Sequence, residues 1–225
     1  MPKLSVIIPV FNEAGTIRAV IDKVQAVDID KEVIIVDDGS SDDTYRVLRD
    51  LRYNNLKLIH HTKNRGKGAA VSTGLSQAAG EYMIIQDADL EYEPADYPLL
   101  MSVLNSGQAD MALGARFTKQ YHGALVPRLG NRFLTALLNL LFGVKLNDCF
   151  TCYKMFKAQA ARDFNLKARS FDIEIEMLAK AIKAGLKIIE VPVSYVPRNY
   201  SQGKKIRIKD GIRAIFSIIK YRISP

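Results

Sequence analysis

The chain has no apolar run long enough to cross a bilayer. Its longest, from Phe133 to Val144, is interrupted by Asn139, and a spanning helix needs about 20 predominantly apolar residues. No charged-then-apolar leader precedes the first strand-like segment, so the expected location is the cytoplasm, in solution or peripheral on a membrane's cytoplasmic face. Cysteine is scarce, with only Cys149 and Cys152. Without a second cysteine or histidine cluster a zinc site is not expected, and two buried free thiols are a plainer reading than redox chemistry. His60, His61 and His122 show no partner pattern and read as structural or surface residues. The Asn199-Tyr200-Ser201 sequon carries no meaning in a cytoplasmic chain. Two common phosphate-binding devices are also missing. The first strand leads into Pro9-Val10-Phe11-Asn12-Glu13 instead of a glycine-rich dinucleotide turn, and no Gly-x-x-x-x-Gly-Lys-Ser/Thr loop occurs. Gly66-Lys67-Gly68 is too short to be either. Phosphate charge would then be met by a metal and by basic side chains, with Arg116, Arg128, Arg132, Arg198 and Lys204 as candidates.

What is present suits one large α/β domain. The 225 residues are 48% hydrophobic, enough to bury a sizeable core. The net charge of +8 gathers toward the end, in Lys204, Lys205, Arg207, Lys209, Arg213, Lys220 and Arg222. Such a tail suits an anionic membrane, a phosphorylated substrate or nucleic acid, and equally a solvated helix face.

Apolar strand patterns at Leu4–Ile8 (stopped by Pro9), Glu32–Val36, Leu56–His60 and Tyr82–Gln86 alternate with helical patterns at Thr16–Val27, Thr44–Tyr53 and Gly66–Ala79. That alternation predicts a mostly parallel sheet with right-handed crossovers and helices on both faces. Further on, strands are expected at Met111–Gly114 and Lys187–Tyr195. Helices are expected at Pro127–Phe142, Phe171–Ala184 and Lys209–Tyr221, the last a basic amphipathic helix. The expected division is a domain over 1–205, with halves at 1–115 and 116–205, and a terminal helix over 206–225.

In such sheets ligands bind beyond the carboxyl ends of the strands. Pro9 to Glu13, Asp37 to Ser40 and Asp87 to Glu91 all fall there, so three polar segments converge on one crevice. Asp87-Ala88-Asp89 carries most of the information. Alternation along extended backbone points two carboxylates the same way, and the small Ala88 leaves the backbone approachable. Two hard oxygen donors suit Mg²⁺ or Mn²⁺, with a diphosphate sharing the remaining positions.

The ordered set Pro9-Val-Phe-Asn-Glu13, Val36-Asp-Asp-Gly-Ser40, Asn64-Arg-Gly-Lys-Gly68 and Asp87-Ala-Asp-Leu90 resembles the family 2 glycosyltransferases with the GT-A fold. Gly114-Ala-Arg-Phe117, Thr151-Cys-Tyr-Lys154, Phe171-Asp-Ile-Glu174 and Glu190-Val-Pro-Val-Ser-Tyr195, followed by Arg198 and Lys204, are similar to the polyprenyl-phosphate sugar synthases, especially the dolichol-phosphate mannosyltransferase group. The resemblance implies that Pro9, Phe11 and Glu13 line the base and ribose site, with Val36 and Asp38 opposite. The family often has Tyr at Phe11, so stacking survives there and a phenolic hydrogen bond does not. Asp87 and Asp89 would hold the metal, with Glu91 as a third contact, and Ala88 would meet the nucleotide through its backbone. Arg116, Arg198 and Lys204 would contact phosphates, and Arg128 and Arg132, four apart on a helix, would suit a lipid phosphate. Asp89, Arg116 and Arg198 are the expected catalytic group. Plainer readings stand beside these: Phe11 as core, Glu13 as a first-turn acid, Asp38 as a cap, and Arg128 and Arg132 as solvated charges.

The implied reaction is inverting transfer of a hexose, mannose from GDP-mannose or glucose from UDP-glucose, to a polyprenyl phosphate such as dolichyl phosphate. The acceptor would be met at a membrane surface or through a separate membrane-anchored subunit. A phosphate monoester, with a second pKa near ~6, is largely dianionic at neutral pH and needs no general base. The first rival is a family 2 enzyme with a hydroxyl acceptor, which needs a carboxylate base in the acceptor site; Asp148 or Asp172 could be offered. A nucleotidyltransferase lacks its glycine-rich loop here, and a nucleic-acid-binding module is opposed by the acidic crevice.

Overall fold

The computed structural model describes residues 1–117, 125–162, 164–198 and 208–224. In chain order its elements are β1 (Leu4–Val10), α1 (Ile17–Ala26), β2 (Lys31–Asp37), α2 (Thr44–Arg49), β3 (Leu56–His60), α3 (Lys67–Ser76) and β4 (Tyr82–Ile85). A 3-10 turn, Pro94–Asp96, leads into α4 (Tyr97–Asn105), β5 (Met111–Ala115), α5 (Leu125–Phe142), β6 (Lys154–Lys157), α6 (Ala158–Arg162), α7 (Ile173–Lys183), β7 (Ile188–Pro192) and α8 (Ile208–Ile223). The strands form one sheet in the order β3-β2-β1-β4-β6-β5-β7. Every pairing is parallel except those of β6, which runs against both β4 and β5.

The two faces of β2 show why the strands read as continuous apolar runs. Val33 and Ile35 join Ile17, Val20, Ile21 and Val24 of α1 in the main core. Ile34 and Val36 point the other way and pack on Ala70 of α3. A strand covered on both sides has no solvent face to mark with polar residues. Right-handed crossovers account for the split: the chain steps one way through α1 and α2, then returns through α3 on the opposite face.

Three departures from the sequence reading have physical causes. Pro9 does not stop β1, which continues to Val10. In a parallel sheet alternate residues bond to alternate neighbours. Ile7 accepts from Gln86 on the β4 side and Val10 from Asp38 on the β2 side, so the missing N–H of Pro9 falls toward β4, whose pairing has ended at Ile85. The second is β6, four residues flanked by lysines, one of which, Lys154, is fully buried. The third is α4, a helix built on Tyr97, Leu100, Met101 and Leu104 that the sequence pattern did not lead us to expect.

Gly66 shows how tightly the crevice wall is built. Its φ of +94° is open to glycine, and a Cβ there would lie 2.1 Å from the Arg169 carbonyl oxygen. Gly68 is likewise pressed against Ala168, and its N–H donates to Arg169. These glycines admit a close-packed loop. Replacing Gly66 with Ala should destabilise the fold by about 1–3 kcal/mol, read as a lower midpoint of denaturant unfolding; an unchanged midpoint would contradict this packing.

Candidate functional site

The carboxyl ends of β1, β2 and β4 are stitched into one crevice by side chains. Asn12, at a φ of +53°, donates its N–H to Ser40 Oγ at 2.9 Å and accepts from the Ser41 N–H at 2.8 Å. The Glu13 N–H donates to Thr44 Oγ1 at 2.8 Å. The Thr16 hydroxyl lies 2.8 Å from the Ala88 carbonyl and 2.9 Å from Glu13 Oε2. The segment after β1, through Asn12, Glu13 and Thr16, is thus joined to the start of α2 and to Ala88 after β4.

Asp38 has a different place. It is buried, and accepts the Arg65 and Gly66 N–H groups at 3.0 and 2.7 Å while His61 Nδ1 sits 2.7 Å away. It arranges the loop before α3, so its oxygens are already occupied. Val36 is fully buried, which leaves only its backbone to offer a ligand. The histidines do have partners: His60 Nδ1 lies 2.8 Å from Asp37 and His61 meets Asp38. The acids ending β2 and the imidazoles ending β3 face each other in register, a signal present in the sequence once the strands are aligned.

Asp87 and Asp89 sit in opposite electrostatic settings. Asp87 Oδ1 is 2.7 Å from Lys67 Nζ. Burial pushes its carboxyl up, but the Lys67 ammonium more than reverses this and holds it below the usual range. Asp89 is pushed up to about 7, first by burial and then by the negative charges of Asp87 and Glu91, against the pull of Arg198. Arg198 straddles the crevice: Nη2 is 3.2 Å from Asp89, while Nη1 and Nη2 bind Glu13 at 3.0 and 3.1 Å.

Glu91 is tied to the segment after β7. Its Oε1 accepts the Arg198 N–H at 2.7 Å and its Oε2 the Tyr195 hydroxyl at 2.8 Å. It fastens that segment beside Asp89. Among the described residues no three His, Cys, Asp or Glu side chains are grouped to hold a metal. The donor chemistry of Asp87 and Asp89 still fits a hard divalent cation, provided diphosphate and water complete its shell.

Arg116 is held in a bidentate pair by fully buried Asp148, at 2.6 and 2.8 Å, with its guanidinium 5.0 Å from the Tyr195 ring. Arg128 lies near Phe117, 6.0 Å from its ring, and Arg132 is exposed on α5. Lys204 lies outside the described residues, as does His122. Asp172 accepts from the Ser170 N–H at 3.1 Å and the Tyr221 hydroxyl at 3.4 Å. Cys149 and Cys152 are buried free thiols, and burial pushes Cys149 up to about 12. Sequence reasoning assigned no role to Lys67, Lys154, Glu174 or Tyr195, although all four stand in the motifs quoted above.

The Asp89 setting has a sign that can be checked. A carboxyl raised in the fold penalises the ionised form, so stability falls as pH rises from about 4, the unfolded value, to about 7. Asp89→Asn in chelator should therefore raise the melting temperature at pH 8 by roughly 5 °C and leave it nearly unchanged at pH 4. An equal shift at both values would refute the assignment.

Among curated proteins, the chain is 29% identical over 204 residues to the low-salt glycan biosynthesis hexosyltransferase Agl6 of Haloferax volcanii, covering 88% of this chain but 48% of that one. It is thus about half that relative's length. It is 27% identical to a UDP-N-acetylglucosamine–dolichyl-phosphate N-acetylglucosaminyltransferase of Methanococcus voltae, covering 96% and 95% of the two chains. It is 26% identical to the dolichol-phosphate mannosyltransferase of Pyrococcus furiosus, covering 97% and 64%. Among solved structures, glucosyl-3-phosphoglycerate synthase of Mycobacterium tuberculosis with Mn²⁺, uridine diphosphate and glucosyl-3-phosphoglycerate superposes with a TM-score of 0.75 at 23% identity, over 98% and 80% of the chains. That likeness establishes the GT-A fold. The family model for glycosyl transferase family 2 matches residues 5–164, and this chain belongs to that family.

Proposed function

We propose that the chain moves a hexose from a nucleotide-sugar to a polyprenyl phosphate, with inversion at the sugar carbon. One observation carries the choice of acceptor. Both acids offered as the base for a hydroxyl acceptor are engaged elsewhere: Asp148 is fully buried against Arg116, and Asp172 is bonded at the start of α7 by Ser170 and Tyr221. A phosphate acceptor, largely dianionic at neutral pH, needs neither.

Asp87 and Asp89 would hold Mg²⁺ or Mn²⁺, which when bound supplies positive charge to the departing diphosphate. Phe11 stacks on the base, and the Ala88 backbone lies beside the nucleotide. Arg116 is pinned by Asp148 and Tyr195, and a guanidinium so held would meet the diphosphate without reorganising. Arg198, resting on Glu13 and Asp89, would supply positive charge to phosphate, with Lys204 as a further phosphate contact. Positioning and charge stabilisation do the work. The two dolichyl-phosphate relatives support the acceptor class. They differ in sugar, so GDP-mannose and UDP-sugars both enter the test as donors.

The acceptor would be met at a membrane surface on the cytoplasmic side. Among the described residues no helix is long and apolar enough to cross a membrane. α5 and α8 pack together and leave Leu129, Phe133, Leu140, Ile212, Phe216 and Ile223 exposed. Arg132, Arg213, Lys220 and Arg222 lie on the same helices. Apolar side chains interleaved with cations suit the headgroup boundary of an anionic bilayer, and Arg128 and Arg132 on α5 would meet the lipid phosphate there.

The test incubates the chain with radiolabelled GDP-mannose, UDP-glucose or UDP-N-acetylglucosamine and a short polyprenyl phosphate, then extracts lipid. Label should enter the lipid in the presence of Mn²⁺, and Asp89→Ala should lower that transfer by at least about 100-fold. Transfer only to a soluble sugar would overturn the acceptor, and full activity in chelator the metal. In flotation, the chain should rise with vesicles containing anionic lipid, and Phe133→Asp with Phe216→Asp should abolish this. Flotation unaffected by both changes would reject the α5–α8 face.

A further inference from the structure

Beneath the end of β4 runs a line of four side chains of alternating charge. Lys154 Nζ bonds to the Thr151 carbonyl and lies 2.5 Å from Glu174 Oε2. Glu174 Oε1 lies 2.9 Å from Lys67 Nζ, and Lys67 Nζ lies 2.7 Å from Asp87 Oδ1. Lys154 starts β6, Glu174 lies in the first turn of α7, Lys67 starts α3 and Asp87 follows β4, so four distant parts of the chain meet here. The Lys154 side chain is 0% exposed and that of Glu174 7%. A buried ammonium is costly even when paired, and an apolar side chain of similar size commonly serves a core as well. Stability alone is therefore a poor reason for this lysine.

The arrangement divides one ammonium between two carboxylates. Whatever hold Glu174 has on Lys67 is subtracted from the hold Lys67 has on Asp87, and Lys154 sets how much of the Glu174 charge is left to exert it. We propose that Lys154 and Glu174 are positioning residues that set how firmly Lys67 grips Asp87, and through it how readily Asp87 accepts a divalent cation. This rests on the metal reading given above. It concerns residues that act through Lys67 without touching donor or acceptor.

The two members of the pair should act in opposite directions. Neutralising Glu174 leaves Lys67 to Asp87 alone, with the Lys154 charge uncompensated nearby, and both changes oppose a cation. Neutralising Lys154 frees Glu174 to draw Lys67 away from Asp87 and removes a positive charge, and both changes favour one. A pair that merely held the core together would move cation affinity the same way from either side.

The experiment measures Mn²⁺ affinity calorimetrically, with GDP and with UDP present, on the full chain and on Glu174→Gln, Lys154→Met and the double variant. Glu174→Gln should weaken Mn²⁺ binding by about 10-fold or more. Lys154→Met should bind at least as tightly as the wild type, and the double variant should fall between Glu174→Gln and the wild type. Equal losses in the two single variants, or wild-type affinity in Glu174→Gln, would overturn the proposal. If Lys154→Met does not fold, the double variant decides: tighter binding than Glu174→Gln supports the proposal, and equal binding refutes it. If Glu174→Gln is the one that does not fold, tighter binding by Lys154→Met than by the double variant supports it and the reverse refutes it. A wild-type chain that binds no Mn²⁺ defeats the metal reading and this inference together, whereas a binding wild type with indifferent variants defeats this inference alone.

Discussion

Like charges crowd the rim of the sheet, and the surrounding structure is arranged to tolerate them. Asp87, Asp89 and Glu91 follow one another at alternate positions, with Glu13 close by. Unrelieved, that density of carboxylate would oppose folding. Lys67 answers Asp87, Arg198 answers Asp89 and Glu13 together, and Tyr195 with the Arg198 N–H answers Glu91. The partners come from distant parts of the chain, so Tyr195 and Arg198 join the second half of the sequence to the strand ends of the first. Fold and site share one electrostatic solution.

The surroundings of Arg116 follow the same logic with the signs exchanged. Arg116 would be costly to bury alone, and Asp148 neutralises it in a bidentate pair while Asn131 donates to the same carboxylate at 3.0 Å. Asp148 is fastened in turn through its own N–H to Glu190. An arginine held this way keeps its charge and direction before any anion arrives, which is what preorganised stabilisation requires.

Much of this was legible in the sequence, and the rest was hidden for physical reasons. β1, β2 and β4 stood out because both faces of each are covered, and the acids at their ends could be placed by topology alone. β6 did not stand out: its four residues begin and end in lysine, and lysine is almost never fully buried. Asp87 and Asp89 could be paired because they are neighbours in sequence. Lys67, Lys154 and Glu174 could not, since their relation exists only after three distant elements close on one another. His60 and His61 gave a signal that becomes readable only with the register between β2 and β3. The fastening role of Glu91 was hidden because its partners lie on a segment more than a hundred positions away.

The reversal of β6 has a geometric result. A parallel strand brings to the rim only the loop at its carboxyl end. A strand threaded the opposite way brings the loop at its amino end instead. The stretch Thr151-Cys152-Tyr153 therefore arrives from the amino side, close under Tyr92, whose hydroxyl accepts the Cys152 N–H at 2.9 Å. By inverting a single strand between two parallel blocks, the fold gains an entry into the floor of the crevice that a wholly parallel sheet of this size would lack, and it fills that entry with the buried ammonium of Lys154.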